Sequence, residues 1–130
     1  MEARETHEGR TAPHPMRLRA LRAAKGAAVA RETQLAERQF QTALTYSRTL
    51  PETLEVAHIA ASFRAFRAAG QAYVTAAQRA RTSAEALAAL QGAEAWRIRT
   101  AAHAAFRRAL EMAATPKDVA LLLCSETART

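Results

Sequence analysis

The sequence predicts an all-α protein of three long amphipathic helices and a short C-terminal helix, packed as an antiparallel bundle or in a coiled-coil-like arrangement. Two observations support this: a helix-start signal that recurs at a constant interval, and an alanine-rich periodic stretch after each signal. In such a capping box, a Thr hydroxyl accepts from the backbone N–H three residues on, while an acidic side chain reaches back. The three boxes are Thr49-x-x-Glu52, Thr82-x-x-Glu85 and Thr115-x-x-Asp118, and they define a 33-residue period.

Residues 1–15 are polar, contain glycine and prolines, and predict a disordered leader before a single helical domain over residues 16–130. The first long helix is predicted over about residues 16–47, where apolar residues recur at intervals of three and four. Gly26 is its weak point, because glycine destabilises a helix interior.

The second helix, over about residues 50–81, has the most regular apolar pattern of the chain. Its apolar and small residues alternate at three and four residues, which is the heptad seam of a coiled coil. The seam consists of Val56, Ile59, Phe63, Phe66, Gly70, Tyr73, Ala77 and Ala80.

The third helix, over about residues 83–114, has two apolar arcs. Leu87, Leu90, Ile98 and Met112 form one arc, and Trp96, Phe106 and Leu110 form the other. Either the helix lies inside a bundle, or the second arc meets another subunit or an apolar surface. A short helix over about residues 116–126 ends the chain.

A similar period occurs in helical solenoids, whose repeats divide into two helices. No proline or paired turn residues interrupt a repeat here, and Gly70 and Gly92 are isolated. We therefore expect one long helix per repeat.

Composition and charge indicate a cytoplasmic, basic protein without a transmembrane segment. The lone Cys124 excludes an internal disulfide framework and is typical of a reducing compartment. The net charge is +7, and residues 61–110 hold eight Arg against two Glu. This balance permits nucleic acid, an anionic membrane or an acidic partner.

The sequence offers no catalytic constellation, so we expect a protein that is not an enzyme and has no cofactor. Glu55-x-x-His58 has the spacing of a di-iron half-site, but that chemistry needs a second pair, and Thr100 stands where His103 would need an acid. No metal site is predicted.

Three stretches resemble the recurring unit of phasins, which coat bacterial polyhydroxyalkanoate storage granules. In that unit an alanine-rich helix end is followed by a Thr-Pro-like turn, a Glu, a leucine-rich step and a long amphipathic helix. The resemblance covers about residues 40–125, with copies after Thr49-Leu50-Pro51-Glu52, Thr82-Ser83-Ala84-Glu85 and Thr115-Pro116-Lys117-Asp118.

The resemblance implies a noncatalytic, self-associating protein that stabilises a polyester granule surface. The apolar contacts to the granule or between subunits would then come from the large side chains of helices 2 and 3. These candidates are Val56, Ile59, Phe63, Phe66, Tyr73, Trp96, Phe106 and Leu110.

Two alternatives stay open. One is a basic nucleic-acid-binding protein, although the arginines of three long helices would be spread around each helix and not aligned on one face. The other is a coiled-coil scaffold for another protein. The candidate anion contacts are Arg64, Arg67, Arg97, Arg107 and Arg108.

Overall fold

The structure is a computed structural model that describes residues 14–129, and this part of the chain is helical without strands. The all-α prediction is confirmed. Most of the predicted leader, residues 1–13, lies outside the described residues, while His14 caps the first helix. The helices are α1 Pro15–Val29, α2 Thr33–Thr45, α3 Leu50–Ser62, α4 Phe66–Arg79, α5 Ser83–Ala95, α6 Arg99–Met112, α7 Pro116–Leu123 and a 3-10 turn Thr127–Arg129.

Each of the three predicted long helices is divided in two by an arginine in the left-handed region. Arg31, Arg64 and Arg97 have φ values of 63°, 64° and 58°, and they recur at the same interval as the capping boxes. The prediction of one long helix per repeat is therefore wrong. The repeat is a helical hairpin, made of α1–α2, α3–α4 and α5–α6, and α7 begins a fourth unit.

The hairpin turns are Schellman motifs, in which backbone N–H groups beyond the helix end bond back to its last carbonyls. In the second hairpin, the N–H of Arg64 donates to the carbonyl of Ala61 at 2.9 Å, and that of Ala65 to the carbonyl of Ala60 at 2.8 Å. The other two turns repeat both bonds. Glycine usually occupies the left-handed position, and arginine gives no comparable sequence signal, which is why the breaks escaped the sequence analysis.

The capping boxes lie where the sequence predicts them. The hydroxyls of Thr49, Thr82 and Thr115 accept from backbone N–H groups three residues on, at 3.2, 3.1 and 3.2 Å. Asp118 accepts in return from the N–H groups of Ala114 and Thr115. The bond from Ala114 contributes most to holding the pKa of Asp118 below its ordinary value. Each box thus starts the first helix of a hairpin.

The hairpins stack in register, so that all three turns lie along one edge. The second helices α2, α4 and α6 contact one another in sequence. Near the turns, the N–H of Ala68 in α4 donates to Glu37 of α2 at 2.8 Å. At the other end, Arg79 Nη1 donates to the carbonyl of Ser47 at 2.8 Å. We call the edge with the turns the turn edge, and the opposite edge, with the Thr N-caps, the cap edge.

The core is made largely of alanine, with one aromatic residue in the second helix of each hairpin. The second helices share the pattern Ala-x3-aromatic-x2-Ala at the 33-residue period. Small residues let the helices approach closely, and the aromatic ring fills the space that remains. The three sets are Ala36/Phe40/Ala43, Ala69/Tyr73/Ala76 and Ala102/Phe106/Ala109, of which all but Phe106 are buried.

The heptad seam of the second helix therefore does not continue along one helix. It crosses the turn at Arg64, and several of its residues contact other hairpins: Phe63 packs against Phe40 of α2, and Tyr73 lies against Gly92 of α5. A coiled-coil-like arrangement of long helices is not confirmed.

Candidate binding surface

The turn edge brings together exposed arginines and exposed aromatic residues from three repeats. Aromatic side chains of this size are usually buried in a protein core, yet Phe63, Phe66 and Trp96 keep 37%, 44% and 40% of their surface exposed. Its residues are Arg31 from the first turn, Phe63, Arg64, Phe66 and Arg67 from the second, and Trp96, Arg97 and Arg99 from the third.

The five arginines of the turn edge point into solvent without a protein partner. Within residues 14–129 none of their guanidinium groups forms a hydrogen bond or an ion pair. The acids near the turns are Glu32, Glu37, Glu94 and Glu126. Glu37 accepts from the N–H of Ala68 at 2.8 Å, and Glu94 accepts from the N–H and hydroxyl of Thr127 at 2.8 and 2.7 Å. Among the described residues, none of these carboxylates forms an ion pair with the five turn-edge guanidinium groups.

Three arginines towards the cap edge, Arg17, Arg79 and Arg108, behave differently because they bind other parts of the chain, whereas Arg81 beside Thr82 is exposed. Arg17 is only 2% exposed; it donates to the Ser47 hydroxyl at 3.0 Å and to the Glu55 carboxylate at 2.8 Å. Arg79 donates to the hydroxyl of Thr53 at 2.6 Å, and Arg108 to the carbonyl of Ala80 at 3.3 Å. The contact of Arg17 with Glu55 joins the first hairpin to the second, and that of Arg79 with Thr53 joins the two helices of the second hairpin.

The predicted anion contacts divide between the two regions. Arg64, Arg67 and Arg97 lie on the turn edge, whereas Arg107 and Arg108 lie in the second half of α6. Arg108 also lies 3.6 Å from Glu111, so its charge is partly compensated within the protein. Arg31 was not among the predicted contacts, although its position one repeat before Arg64 was visible in the sequence.

The predicted apolar contacts also divide. Val56 and Tyr73 are fully buried, and Ile59 and Phe106 are half-buried against the core, so these four hold hairpins together. Leu110 is 48% exposed but lies on α6 away from the turns. The arc predicted for Trp96, Phe106 and Leu110 is not formed, because Trp96 lies beyond the end of α5.

A cleft of about 510 Å³ opens beside the turn edge between the second helices. Phe66, Arg67 and Ile98 belong to its wall near the turns, and Gln71 and Thr75 add hydrogen-bonding groups further along α4. Its volume lies within the usual range of small-molecule sites. An apolar wall with a few hydrogen-bonding side chains suits a ligand group that is flat and partly polar.

Glu55 and His58, whose spacing is that of a di-iron half-site, contact other side chains of the protein. Glu55 binds Arg17, and His58 Nδ1 lies 2.6 Å from the Tyr73 hydroxyl. Burial raises the pKa of Tyr73 to about 12, so the hydroxyl that contacts the imidazole is protonated at neutral pH. Among the described residues, no three His, Cys, Asp or Glu side chains are grouped as a metal site would need.

Comparison with protein-family models, with curated proteins and with solved structures finds no match for this chain. Within residues 14–129, every helix is too short or too polar to span a membrane. Function is therefore inferred from the residues of the turn edge.

Proposed function

We propose that the protein is a noncatalytic helical-repeat binding module that contacts an anionic partner through the turn edge. The observation that carries this proposal is the contrast between the two edges. At the cap edge, the buried Arg17 binds Ser47 and Glu55, and the guanidinium group of the exposed Arg79 binds Thr53. The turn edge combines five arginines without partners with three exposed aromatic rings.

The fold suits such a role because stacked hairpins repeat the same surface position at a fixed interval. The helical hairpin and the Ala-x3-aromatic spacing of the second helices are similar to tetratricopeptide repeats, although the period of 33 residues is one shorter than theirs. Repeat stacks of this kind present extended surfaces along which a partner meets equivalent residues of successive units.

The backbone of the turns supports a role for the arginines themselves. A left-handed conformation costs a residue with a Cβ about 1–2 kcal/mol, whereas glycine adopts it readily. A cation near the C-terminus of the preceding helix recovers roughly 0.3–1 kcal/mol through the helix dipole. Folding alone therefore gives little reason for arginine at all three turns, at Arg31, Arg64 and Arg97.

Binding to immobilised heparin, a flexible polyanion, tests this proposal. The variant Arg31→Gln/Arg64→Gln/Arg97→Gln should elute at clearly lower salt than the wild-type protein, because three contacts to anions are lost. The matched control uses Arg22, Arg81 and Arg107, which are exposed arginines outside the turns.

Both triple variants carry the same net charge, so a difference between them reports position and not total charge. Equal elution of the two would overturn the proposal. Circular dichroism of each variant checks that the helices are intact.

A polyester granule coat is a second candidate function, as the resemblance to phasins implies. The observation in its favour is the exposure of Phe63, Phe66 and Trp96. Adsorption to polyhydroxyalkanoate particles should then survive high salt and weaken in Phe63→Ala/Trp96→Ala. Absence of adsorption would eliminate this candidate and leave the binding-module proposal intact.

A further inference from the structure

We infer that the anionic partner of the turn edge is single-stranded nucleic acid, an inference that rests on the proposed function. The partner must match a linear arrangement, because the three left-handed arginines belong to helices that stack side by side. Packed helices lie roughly 8–10 Å apart, so the row from Arg31 through Arg64 to Arg97 extends over roughly 16–20 Å.

In the second and third turns an exposed aromatic residue directly precedes an arginine in the sequence, whereas Ala30 precedes Arg31 in the first turn. Phe63 precedes Arg64, Phe66 precedes Arg67, and Trp96 precedes Arg97. A single nucleic-acid strand has the complementary groups, phosphates and unpaired bases. Guanidinium groups bind phosphate oxygens in bidentate fashion at any physiological pH, and aromatic rings stack on bases of any sequence.

The aromatic rings are held in a way that suits stacking. The Phe63 ring packs against that of Phe40, with 6.4 Å between the ring centroids, and about a third of Phe63 is exposed. A ring fixed on one side loses little freedom when a base covers the other. The cleft that Phe66 and Ile98 share provides room for one base turned out of the strand.

Duplex nucleic acid fits this surface less well. The faces of its bases are covered by neighbouring base pairs, so the rings of Phe63, Phe66 and Trp96 would have nothing to stack on. Duplex recognition commonly places a helix or strand pair in the major groove, whereas the turn edge presents loops. A lipid surface is also a poorer match, since each exposed ring is followed in the sequence by an arginine.

Anisotropy of fluorescein-labelled (dT)12 and (rU)12 tests the inference, with a 12-base-pair duplex and phosphatidylserine vesicles as competitors. The 12-mers are longer than the row of arginines, whereas a trimer has too few phosphates to contact all five arginines. A 12-mer should therefore bind well and a trimer at least tenfold more weakly. Contact of five arginines with phosphates predicts a slope of log K against log salt of roughly −3.5.

The variants separate phosphate contact from stacking. Arg31→Gln/Arg64→Gln/Arg97→Gln should reduce the magnitude of the salt slope by about 2, while the control at Arg22, Arg81 and Arg107 should leave it unchanged. Trp96→Ala should weaken binding about 5- to 100-fold with little change in slope. Leu110→Ala removes an exposed apolar side chain away from the turn edge and should leave the affinity for the oligonucleotides unchanged.

Trp96 is also the only tryptophan of the chain. Its fluorescence should be quenched on addition of (dT)12 and unaffected by an equal concentration of duplex.

Each outcome identifies which proposal fails. Duplex binding as tight as (dT)12, or an unchanged tryptophan signal during binding, would overturn the inference of a single-stranded partner. Binding to vesicles but not to oligonucleotides would also overturn it and leave the turn edge as a binding surface. If the wild-type protein and both triple variants bind heparin equally, the proposed function itself is wrong.

Discussion

Gly92 is predicted to allow the close packing of the third hairpin on the second. A Cβ at this position would lie 2.5 Å from Cε1 of Tyr73, 3.0 Å from its Cζ and 3.1 Å from His58 Cε1. Tyr73 has no exposed surface, so its ring cannot move aside into solvent. Gly92→Ala must therefore displace the ring or separate α4 from α5.

The expected change in the free energy of unfolding is the sum of two opposing contributions. Inserting a methyl group into a packed site costs about 1–3 kcal/mol, and replacing glycine by alanine in a helix returns about 0.5–1 kcal/mol. At Gly26, where nothing lies within 4 Å of the added Cβ, only the favourable term applies. Gly92→Ala should therefore destabilise the protein by up to about 2 kcal/mol, and Gly26→Ala should stabilise it by about 0.5–1 kcal/mol.

Urea unfolding followed by circular dichroism measures both changes. A double-mutant cycle with Tyr73→Leu should show that most of the cost of Gly92→Ala disappears when the ring is removed. If Gly92→Ala stabilises the protein as Gly26→Ala does, the close packing of α5 on Tyr73 is refuted.

Three further predictions concern single residues. Arg17→Ala should destabilise the protein by about 2–4 kcal/mol in urea unfolding, because it removes the buried guanidinium that joins α1 to α3; an effect as small as that of Arg22→Ala would contradict the assigned contacts. The pKa of Tyr73 is raised by burial to about 12, so the free energy of unfolding should fall as pH rises from about 10 to 12. Tyr73→Phe should remove this dependence, and a fall of equal size in that variant would exclude Tyr73 as its cause. The pKa of Asp118 is lowered, so its capping bonds stabilise α7 at neutral pH and are lost as the pH falls through its folded-state pKa. The hydrogen-exchange protection factors of the α7 amides, which are corrected for the intrinsic pH dependence of exchange, should fall on acidification in the wild-type protein and should be insensitive to this pH change in Asp118→Asn.

The starts of the first helices could be predicted from the sequence because Thr hydroxyls and acidic side chains satisfy specific backbone donors. The turns that divide each repeat into two helices could not be predicted from the sequence. The apolar periodicity of α3 continues into α4, and Arg64 does not mark a left-handed turn. The turn edge depends on those turns. In three continuous helices Arg64, Arg67 and Arg97 would point in unrelated directions, whereas the hairpins place them on one edge.

Two sequence patterns recur once per repeat, and together with the structure they indicate the hairpin. One is the arginine at Arg31, Arg64 and Arg97, and the other is the Ala-x3-aromatic-x2-Ala pattern of the second helices. Both have the period of the capping boxes, but each marks a different part of the repeat. The exposure of Trp96 also depends on the turn, because a tryptophan inside a continuous helix 3 would have packed on the arc predicted for Phe106 and Leu110.

The most direct test of the central claim, that the turn edge is the binding surface, is a titration of the 15N-labelled protein with (dT)12 followed by amide chemical shifts. The shifts should be largest at the three turns, residues 30–32, 63–65 and 96–98, and should include the indole N–H of Trp96. Saturating binding with the largest shifts at the cap edge, around Thr49, Thr82 and Thr115, or on α7, would contradict the claim.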